Sequence, residues 1–570
     1  MVPTFTPASD FVPASFDASN WDNLKPLYTA LLERPLHCKK CIERLIIDRS
    51  ELDSAANEAE TSLYIDMTCH TDDKVISGAY LKFVSEVSPE IKKISFELDK
   101  RIVGHAAVGE LDTARYGVLL RDMRGSIELF REANLPLEVE SAKLEQQYQS
   151  LIGAMTVVFQ GTEHTLPQMA KYQEVTDRAV REDAFRVVAE RRLKDKEQIE
   201  DIFDKLIALR HTMATNAGFA NFRDFAFKAR RRFDYTVADC NSYAEGVEQS
   251  VVPAMRAINT QRLAALGYTS LRPWDMSVDV KGRAPLKPFT DGADLYERSL
   301  KLFRRMDESL GELFAAMRTG GCLDLDSRKG KGPGGYQATR DRQRMPFIFM
   351  NAAGVQRDVE TMVHEAGHAF HALLARADNI LAYRSGAPIE FCEVASMSME
   401  LTAGPFLDEF YTTEEAARAK RVHLEGIASI LPWIATIDQF QHWIYTNVGH
   451  TRQQRSEQWC SLLAKYGAST DWSGLEEIRA FMWHRQPHLF TSPFYYIEYG
   501  IAQLGAIQLY GNYKRDAKKA IVDYKAALTL GGSQPLPKLF NAAGLQFDFS
   551  PARIKGTWAE VERELVALPV

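Results

Sequence analysis

The sequence has no long apolar run and no excess of basic residues. The longest nearly apolar stretch, residues 426–437, contains Pro432 and ends before Asp438. It is well short of the roughly 20 residues that a membrane helix needs. Lys and Arg total 69 against 76 Asp and Glu, a net charge of −7, whereas a nucleic-acid binder has a basic surface. We therefore expect neither a membrane nor a nucleic acid as a partner.

The sequence also lacks a secretory signal and a disulfide pattern. The first ten residues have no basic start followed by an apolar stretch, so no signal peptide is expected. The 7 cysteines are an odd number and widely scattered, which is typical of reduced, intracellular proteins. With 45% hydrophobic and 25% charged residues, the composition is that of an ordinary globular chain. We expect a soluble cytoplasmic protein.

Most of the 570 residues carry a helical pattern, and strand patterns are few. In residues 195–213, for example, Ile199, Ile202, Phe203 and Leu206 fall on one stripe between charged positions. Residues 161–167 predict a loop or a short ribbon. We predict a mainly α-helical chain with a boundary near residue 170, between an N-terminal helical region (1–170) and a larger region (171–570).

A glycine-rich loop and a strand pattern precede the most informative motif. The loop, residues 329–335 (KGKGPGG), lacks the Gly-Lys-Ser/Thr order of a phosphate-binding loop, so nucleotide binding is not expected. Residues 345–350 (MPFIFM) are the best strand pattern in the chain. Pro346 near its start predicts an edge strand, because proline donates no ladder hydrogen bond. An edge strand can pair with an extended peptide.

Residues 359–376 predict an amphipathic helix that contains the pattern H-E-x-x-H, with His364, Glu365 and His368. Positions i and i+4 share a helix face, so both imidazoles can reach one metal ion. Glu365 lies about 100° around the helix, where it can take a proton from an attacking water. Gly367 costs roughly 1 kcal/mol against Ala in a helix, which predicts a close approach by another segment.

Two histidines leave one protein ligand of a tetrahedral zinc site to find. His371 projects from nearly the same face one turn further on, and we interpret it as structural. A second predicted helix follows, and a carboxylate from it can complete a His/His/Glu set. Periodicity does not choose between Glu390 and Glu393. Glu360 and Glu400 are candidates to orient the imidazoles.

Residues 359–371 (VETMVHEAGHAFH) resemble the active-site helix of the thimet oligopeptidase and oligoendopeptidase F family of zinc metallopeptidases. In that family the third zinc ligand is a Glu 25 residues after the second His, and this spacing selects Glu393. The resemblance covers residues from about 160 to 560. It implies one zinc ion, held by His364, His368 and Glu393. It also implies two helical lobes that enclose a deep substrate channel, with a small sheet beside the H-E-x-x-H helix.

A further region, residues 487–500, is similar to the family's substrate segment. Family members use a His and Tyr hydroxyls there to hold the substrate carbonyl and its oxyanion. The resemblance therefore implies catalytic roles for His488, Tyr499 and Tyr495. The predicted substrate contacts are Tyr496, Gly335, Phe347 and Phe349.

The residues and the resemblance together predict a zinc-dependent endopeptidase that hydrolyses internal bonds of short peptides, with Glu365 as general base. A dipeptidyl carboxypeptidase on the same core is one alternative, but it needs a group for the substrate's terminal carboxylate that the sequence does not place. An inactive peptide-binding scaffold is the other, and the intact base and ligands argue against it. Short peptides are the expected partners, and the sequence leaves monomer and homodimer open.

Overall fold

A computed structural model describes residues 5, 9–328, 330–332 and 334–569 of the chain. Helices dominate it, which confirms the predicted mainly α-helical class. The helices, in chain order, are α1 (Trp21–Glu33), α2 (Lys39–Cys69), α3 (Lys74–Lys82), α4 (Ser88–Val103), α5 (Thr113–Leu129), α6 (Leu135–Gly153), α7 (Arg178–Leu193), α8 (Lys196–Asn216), α9 (Phe222–Ala229), α10 (Val237–Leu266), α11 (Gly292–Met306), α12 (Glu308–Thr319), α13 (Gln356–Ala375), α14 (Leu381–Arg384), α15 (Ile389–Thr402), α16 (Thr413–Thr446), α17 (Arg452–Tyr466), α18 (Glu476–Ala480), α19 (Pro487–Thr491), α20 (Tyr496–Arg515), α21 (Ala517–Thr529), α22 (Leu536–Ala542) and α23 (Pro551–Ala567). The strands are β1 (Thr156–Phe159), β2 (Thr162–Thr165), β3 (Leu323–Asp326), β4 (Tyr336–Arg340) and β5 (Met345–Ala352).

The chain divides into two compact units, each built from separate segments. The first unit contains the described residues of 1–128, 286–419 and 502–547, and the second contains those of 129–285, 420–501 and 548–570. Residue 170 lies inside the second unit, and the boundary predicted there stays a prediction. Each unit packs together segments that are distant in sequence, and local sequence patterns do not indicate such packing.

In the first unit, three strands form a sheet in the order β3-β5-β4, with β3 parallel and β4 antiparallel to β5. The strand predicted at residues 345–350 is therefore central, and the prediction of an edge strand is wrong. The Ile348 N–H donates to the Cys322 carbonyl, on the side of β5 that faces β3. Backbone N–H groups two residues apart in a strand point to the same side, so an N–H at position 346 would also point towards β3. Since β3 begins at Leu323, opposite Ile348, the N–H that Pro346 lacks would point beyond the start of β3. Proline therefore leaves no ladder bond unmade.

Phe347 and Phe349, predicted to contact substrate, lie inside the packing of this sheet. Their residues are 5% and 0% exposed. Phe349 stacks on Tyr336 with 4.8 Å between ring centroids, and the Arg340 guanidinium lies 5.1 Å from the Phe347 ring centroid. This burial gives both rings a packing role, and contact of either ring with a substrate stays a prediction.

In the second unit, β1 and β2 form the short ribbon predicted near residues 161–167. Gln160 and Gly161 join them with φ values of 50° and 77°, as a two-residue hairpin turn requires. The helix predicted at residues 195–213 is α8, and its apolar stripe is buried. Across the part of the chain that the structure describes, no helix has the length and apolar character needed to cross a membrane.

Candidate metal centre

Helices α13 and α15 of the first unit bring His364, His368 and Glu393 together. The Nε2 atoms of the two histidines lie 3.4 and 3.6 Å from Glu393 Oε2. The imidazole centroids are 4.9 Å apart, and the candidate ligand atoms of the three residues all lie within 4.8 Å of one another. Two ring nitrogens and one carboxylate oxygen match the ligand set of a catalytic zinc site with one open position.

The helix that carries both histidines forms for local reasons. Its predicted apolar stripe is buried, with Val359 2% exposed and Phe370 fully enclosed. At its start, the Asp358 carboxylate accepts hydrogen bonds from the N–H groups of Ala353 and Val355, at 2.8 and 3.0 Å. An acidic residue in the first turn also interacts favourably with the helix dipole. The histidine spacing is therefore held on a regular, anchored helix.

Gly367 permits α15 to approach α13 closely. A Cβ built at position 367 would lie 2.6 Å from the Ala395 carbonyl oxygen and 2.6 Å from Ser396 Cα. No side chain fits at such distances, so the close approach predicted from this glycine is made by the α15 backbone. The contact sets the separation of the two helices beside the histidines and so positions Glu393.

Of the two glutamates left open by periodicity, the geometry favours Glu393. Glu390 is not part of the cluster found among the described residues. Glu393 is 5% exposed, and its Oε2 accepts a hydrogen bond from Ser396 Oγ at 2.9 Å. Burial acts to raise the pKa of Glu393, but His368 and His364 lower it to about 2. The carboxylate is therefore ionised at neutral pH, as a metal ligand must be.

Glu400 holds the first histidine. Its Oε1 lies 2.6 Å from His364 Nδ1, which leaves His364 Nε2 directed at Glu393. Burial acts to lower the pKa of His364, but Glu393 and Glu400 raise it well above its ordinary value. For His368, burial lowers the pKa to about 4, although Glu393 and a hydrogen bond to the Cys392 backbone act to raise it. A carboxylate behind a ligating imidazole orients the ring and raises its basicity.

Two other predicted residues of α13 stand apart from this cluster. Gln356 Nε2 donates to Glu360 Oε1 at 3.0 Å, and an orienting role for Glu360 stays a prediction. His371 is 5% exposed, and its ring packs edge-on against Phe391 at 5.9 Å. Burial lowers the pKa of His371 to about 3, and its Nε2 makes no hydrogen bond with any described residue. A neutral, packed imidazole fits the structural interpretation.

Glu365 has the environment of a general base. It is 6% exposed, and burial raises its pKa to about 7, with His364 opposing the rise and Glu393 and Glu400 adding to it. The backbone N–H of Gln337 in β4 donates to its carboxylate. A base is most effective when its pKa lies near the working pH. Three carboxylates thus surround two imidazoles, and a divalent cation would offset the excess negative charge.

The glycine-rich loop is tied to the sheet through Lys331, whose side chain is fully enclosed. Lys331 Nζ donates to Asp324 Oδ1 at 2.9 Å and to the Asp326 carbonyl at 2.9 Å. These hydrogen bonds give Lys331 a structural role that sequence reasoning missed. They also occupy the amine that would otherwise be available to a phosphate. Gly335 is exposed at the start of β4, so a substrate contact there stays a prediction. Lys329 and Pro333 lie outside the described residues.

In the second unit, residues 487–500 bring His488 and three tyrosines together. The His488 ring centroid lies 5.8, 4.9 and 6.0 Å from those of Tyr495, Tyr496 and Tyr499. Gln486 Nε2 lies 2.8 Å from His488 Nδ1. Burial lowers the pKa of His488, with Arg230 adding to the effect. The ring is therefore neutral and, with Nδ1 accepting from the amide, carries its proton on Nε2 as a donor.

Phe494, just before Tyr495, holds this segment in an unusual conformation. Its φ is 64°, a left-handed value that costs a residue with a bulky side chain of order 1–3 kcal/mol. The Phe494 N–H donates to Gln441 Oε1 at 2.5 Å, and the Phe494 carbonyl accepts from Arg232 Nη2. Sequence reasoning missed this support, since neither Gln441 nor Arg232 is near the segment in the chain.

Several known proteins are similar to this chain. The sequence profile of "Peptidase family M3" matches residues 171–556. An oligoendopeptidase F homologue of Borreliella burgdorferi is 26% identical over 302 residues, which cover 50% of this chain and 49% of that protein. The oligopeptidase PepF of Bacillus subtilis is 26% identical over 265 residues, 45% of this chain and 39% of that protein. The matched part of the chain thus spans half or less of these curated relatives.

Solved structures match over nearly the whole chain. The structure of PZ peptidase A with an inhibitor has a TM-score of 0.91 and 26% identity, and the match covers 98% of this chain and 99% of that chain. A protein assigned as an oligoendopeptidase F has a TM-score of 0.90 and 26% identity, with the same shares covered. The oligoendopeptidase F of Enterococcus faecium has a TM-score of 0.65 at 16% identity over 95% and 96% of the two chains, which shows the fold alone.

Proposed function

The chain belongs to peptidase family M3, and from this membership we propose that it is a zinc-dependent endopeptidase that hydrolyses internal bonds of short peptides. The observation that carries the proposal is the convergence of His364, His368 and Glu393 within 4.8 Å of one another, with buried Glu365 on the same helix. Relatives named as oligopeptidases and oligoendopeptidases support the peptide substrate.

The three converging residues fit a zinc ion by chemistry as well as by distance. Two imidazoles and a carboxylate are borderline and hard donors of the kind that zinc takes in catalytic sites. A zinc ion bound there supplies a Lewis acid that polarises a carbonyl and makes water a stronger nucleophile at neutral pH. Glu400, behind His364, keeps that ring oriented.

Glu365 would then act as the general base. Its carboxylate accepts a proton from the attacking water and later gives that proton to the leaving amine. The Gln337 N–H that it accepts from holds the carboxylate towards β4. The raised pKa lets the same group hold the proton between the two steps.

We further propose that His488 and Tyr499 donate hydrogen bonds to the substrate carbonyl as it becomes an oxyanion, with Tyr495 assisting and Tyr496 in contact with the substrate. This role rests on the resemblance to the family and on the neutral, Nε2-protonated state of His488 within its own unit. A preorganised neutral donor stabilises developing negative charge without first losing a proton.

The edge of the sheet that could pair with a peptide is β4 rather than β5. β4 has β5 as its one strand neighbour within the described sheet. Its backbone already supplies the Gln337 N–H to Glu365. An extended peptide that added to the sheet along β4 would make main-chain hydrogen bonds to this strand. Its peptide bonds would then lie close to Glu365, the proposed base.

The experiment that tests this function is product mapping by mass spectrometry on a mixed peptide library, with and without a chelator. We expect internal cleavage that the chelator abolishes and zinc restores. Glu365→Gln should keep the zinc content of the unmutated protein and lose nearly all turnover. A metal-replete Glu365→Gln protein that still cleaves peptides would sink the mechanism. Removal of dipeptides from free C-termini alone, with amidated peptides spared, would identify the dipeptidyl carboxypeptidase instead.

A further inference from the structure

A second cluster of metal-ligand residues lies in the second unit, apart from the site on α13. It contains Cys240 of α10 and Asp438 and His442 of α16. One candidate ligand atom from each lies within 4.8 Å of the others. The three residues are 1%, 1% and 7% exposed, so the cluster is enclosed in the packing of these helices.

Asp438 and His442 are poorly satisfied for groups so deeply buried. Neither carboxylate oxygen of Asp438 and neither ring nitrogen of His442 makes a hydrogen bond with any part of the chain that the structure describes. The nearest contact is His442 Nε2 to Asp438 Oδ2, at 3.1 Å. Tyr243, close to Asp438, directs its hydroxyl to the Leu431 carbonyl at 3.2 Å instead. A buried carboxylate without hydrogen bonds is costly unless it is paired or coordinates a metal.

Two aromatic rings also flank His442. The Phe227 and Phe494 rings lie 5.9 and 5.4 Å from its ring centroid. These rings offer no donor or acceptor in the plane of the imidazole. The ring nitrogens of His442 are therefore available to coordinate an ion inside the cluster.

We propose that Cys240, Asp438 and His442 bind a second divalent transition-metal ion, of the zinc type. A thiolate, an imidazole and a carboxylate are a donor set that zinc accepts, and the sulfur disfavours Mg²⁺ and Ca²⁺. Asp438 and His442 are four apart on one helix, so both side chains project from the same face. Ligand atoms around zinc lie about 3.5 Å apart, so small rotations of the side chains close the set.

Such an ion would have a structural role. It would link the first turn of α10 to the last part of α16, two segments far apart in the sequence. Gln441, the neighbour of His442 in the chain, accepts a hydrogen bond from the Phe494 N–H. The ion would thereby brace the residue that holds the substrate segment in its left-handed conformation.

The test is the count of zinc per chain by elemental analysis of the purified full chain, after zinc loading and removal of loosely bound ions. Cys38 and Cys41 have sulfurs 3.1 Å apart and Cys38 is exposed, so all variants carry Cys38→Ser and Cys41→Ser to exclude binding there. We expect two zinc ions in this background and one after Cys240→Ala or His442→Ala. Cys322→Ala, a change at another buried cysteine, should keep two.

Cobalt substitution gives a second readout, which is specific for the sulfur ligand. A cobalt–thiolate bond produces a near-ultraviolet charge-transfer band, and the α13 site has no sulfur ligand. We expect this band in the background protein loaded with Co²⁺ and its loss in folded Cys240→Ala. A folded background protein with one zinc ion and no thiolate band would overturn the proposal and leave Asp438 and His442 as a simple ion pair. A band that persists in Cys240→Ala would overturn it as well.

Discussion

The indole N–H of Trp433 donates a hydrogen bond to Gln486 Oε1 at 3.1 Å. An indole nitrogen is a donor only, so this contact fixes which end of the Gln486 amide is oxygen. The amide NH₂ must then face His488 Nδ1, 2.8 Å away. Trp433, on another helix, therefore fixes the tautomer of His488, the proposed oxyanion donor, through the Gln486 amide.

Trp433→Phe should release the Gln486 amide and weaken the control of the His488 tautomer. A hydrogen bond of this kind contributes about 1 kcal/mol, so we expect kcat to fall about fivefold with zinc content unchanged. The tautomer itself can be measured by ¹⁵N NMR of the imidazole nitrogens. Trp558→Phe is the matched control, because Trp558 is buried and its indole N–H has no partner among the described residues. Equal losses in both variants would refute a specific role for Trp433.

Glu400→Gln should weaken zinc binding without removing a proposed ligand. The neutral amide cannot raise the basicity of His364 as the carboxylate at 2.6 Å does. Changes of this kind typically cost 10–100-fold in metal affinity. Zinc affinity is measured by competition with a chromogenic chelator. Glu414→Gln, on the exposed first turn of α16, should leave it unchanged, and an unchanged affinity in Glu400→Gln would contradict the prediction.

Gly367→Ala should force α13 and α15 apart. The added methyl would lie 2.6 Å from the backbone of α15, and overpacking of this kind costs about 1–3 kcal/mol. Because Glu393 is carried by α15, zinc affinity should fall together with the free energy of unfolding. Chemical denaturation and zinc titration measure the two effects.

Gly426→Ala in α16 is the control for that substitution. A Cβ at Gly426 meets nothing within 4 Å. Replacing a helical glycine in open space stabilises by roughly 0.5–1 kcal/mol. If both alanine variants behave alike, the close approach at Gly367 does not govern the metal centre.

His484 should make the protein less stable in mild acid. It is 3% exposed, and burial together with nearby cations, Arg455 first among them, lowers its pKa to about 3, although Glu200 Oε1 lies 3.1 Å from His484 Nε2. The unfolded chain protonates near pH 6.5, so below that pH the unfolded state binds more protons and stability is lost. Between pH 7 and pH 5 the loss from this group is about 2 kcal/mol.

The measurement is the free energy of unfolding at both pH values, in wild type and in His484→Gln. The variant should be less stable at pH 7 but should lose about 2 kcal/mol less than wild type on going to pH 5. Parallel curves for wild type and His484→Gln would show that this histidine does not titrate as stated.

Local spacing accounts for what could be predicted at the candidate site. The i and i+4 histidines, the stripe of α13 and the costly Gly367 are all properties of one helix, and the structure has that helix at residues Gln356–Ala375. The choice of Glu393 came from a family spacing rather than from periodicity. By contrast, Pro346 suggested an edge strand because sequence does not show where the neighbouring strand starts.

The sequence by itself determined the helical class and the metal-binding helix, since both follow from residue spacing within one element. Tertiary structure decided what depends on contacts between distant segments. It made β5 the central strand, divided the chain into discontinuous units, tied Lys331 to the sheet, and brought Cys240 beside Asp438 and His442. Such contacts depend on the packing energy of many side chains, each of which contributes little by itself. No short stretch of sequence contains all of these contributions.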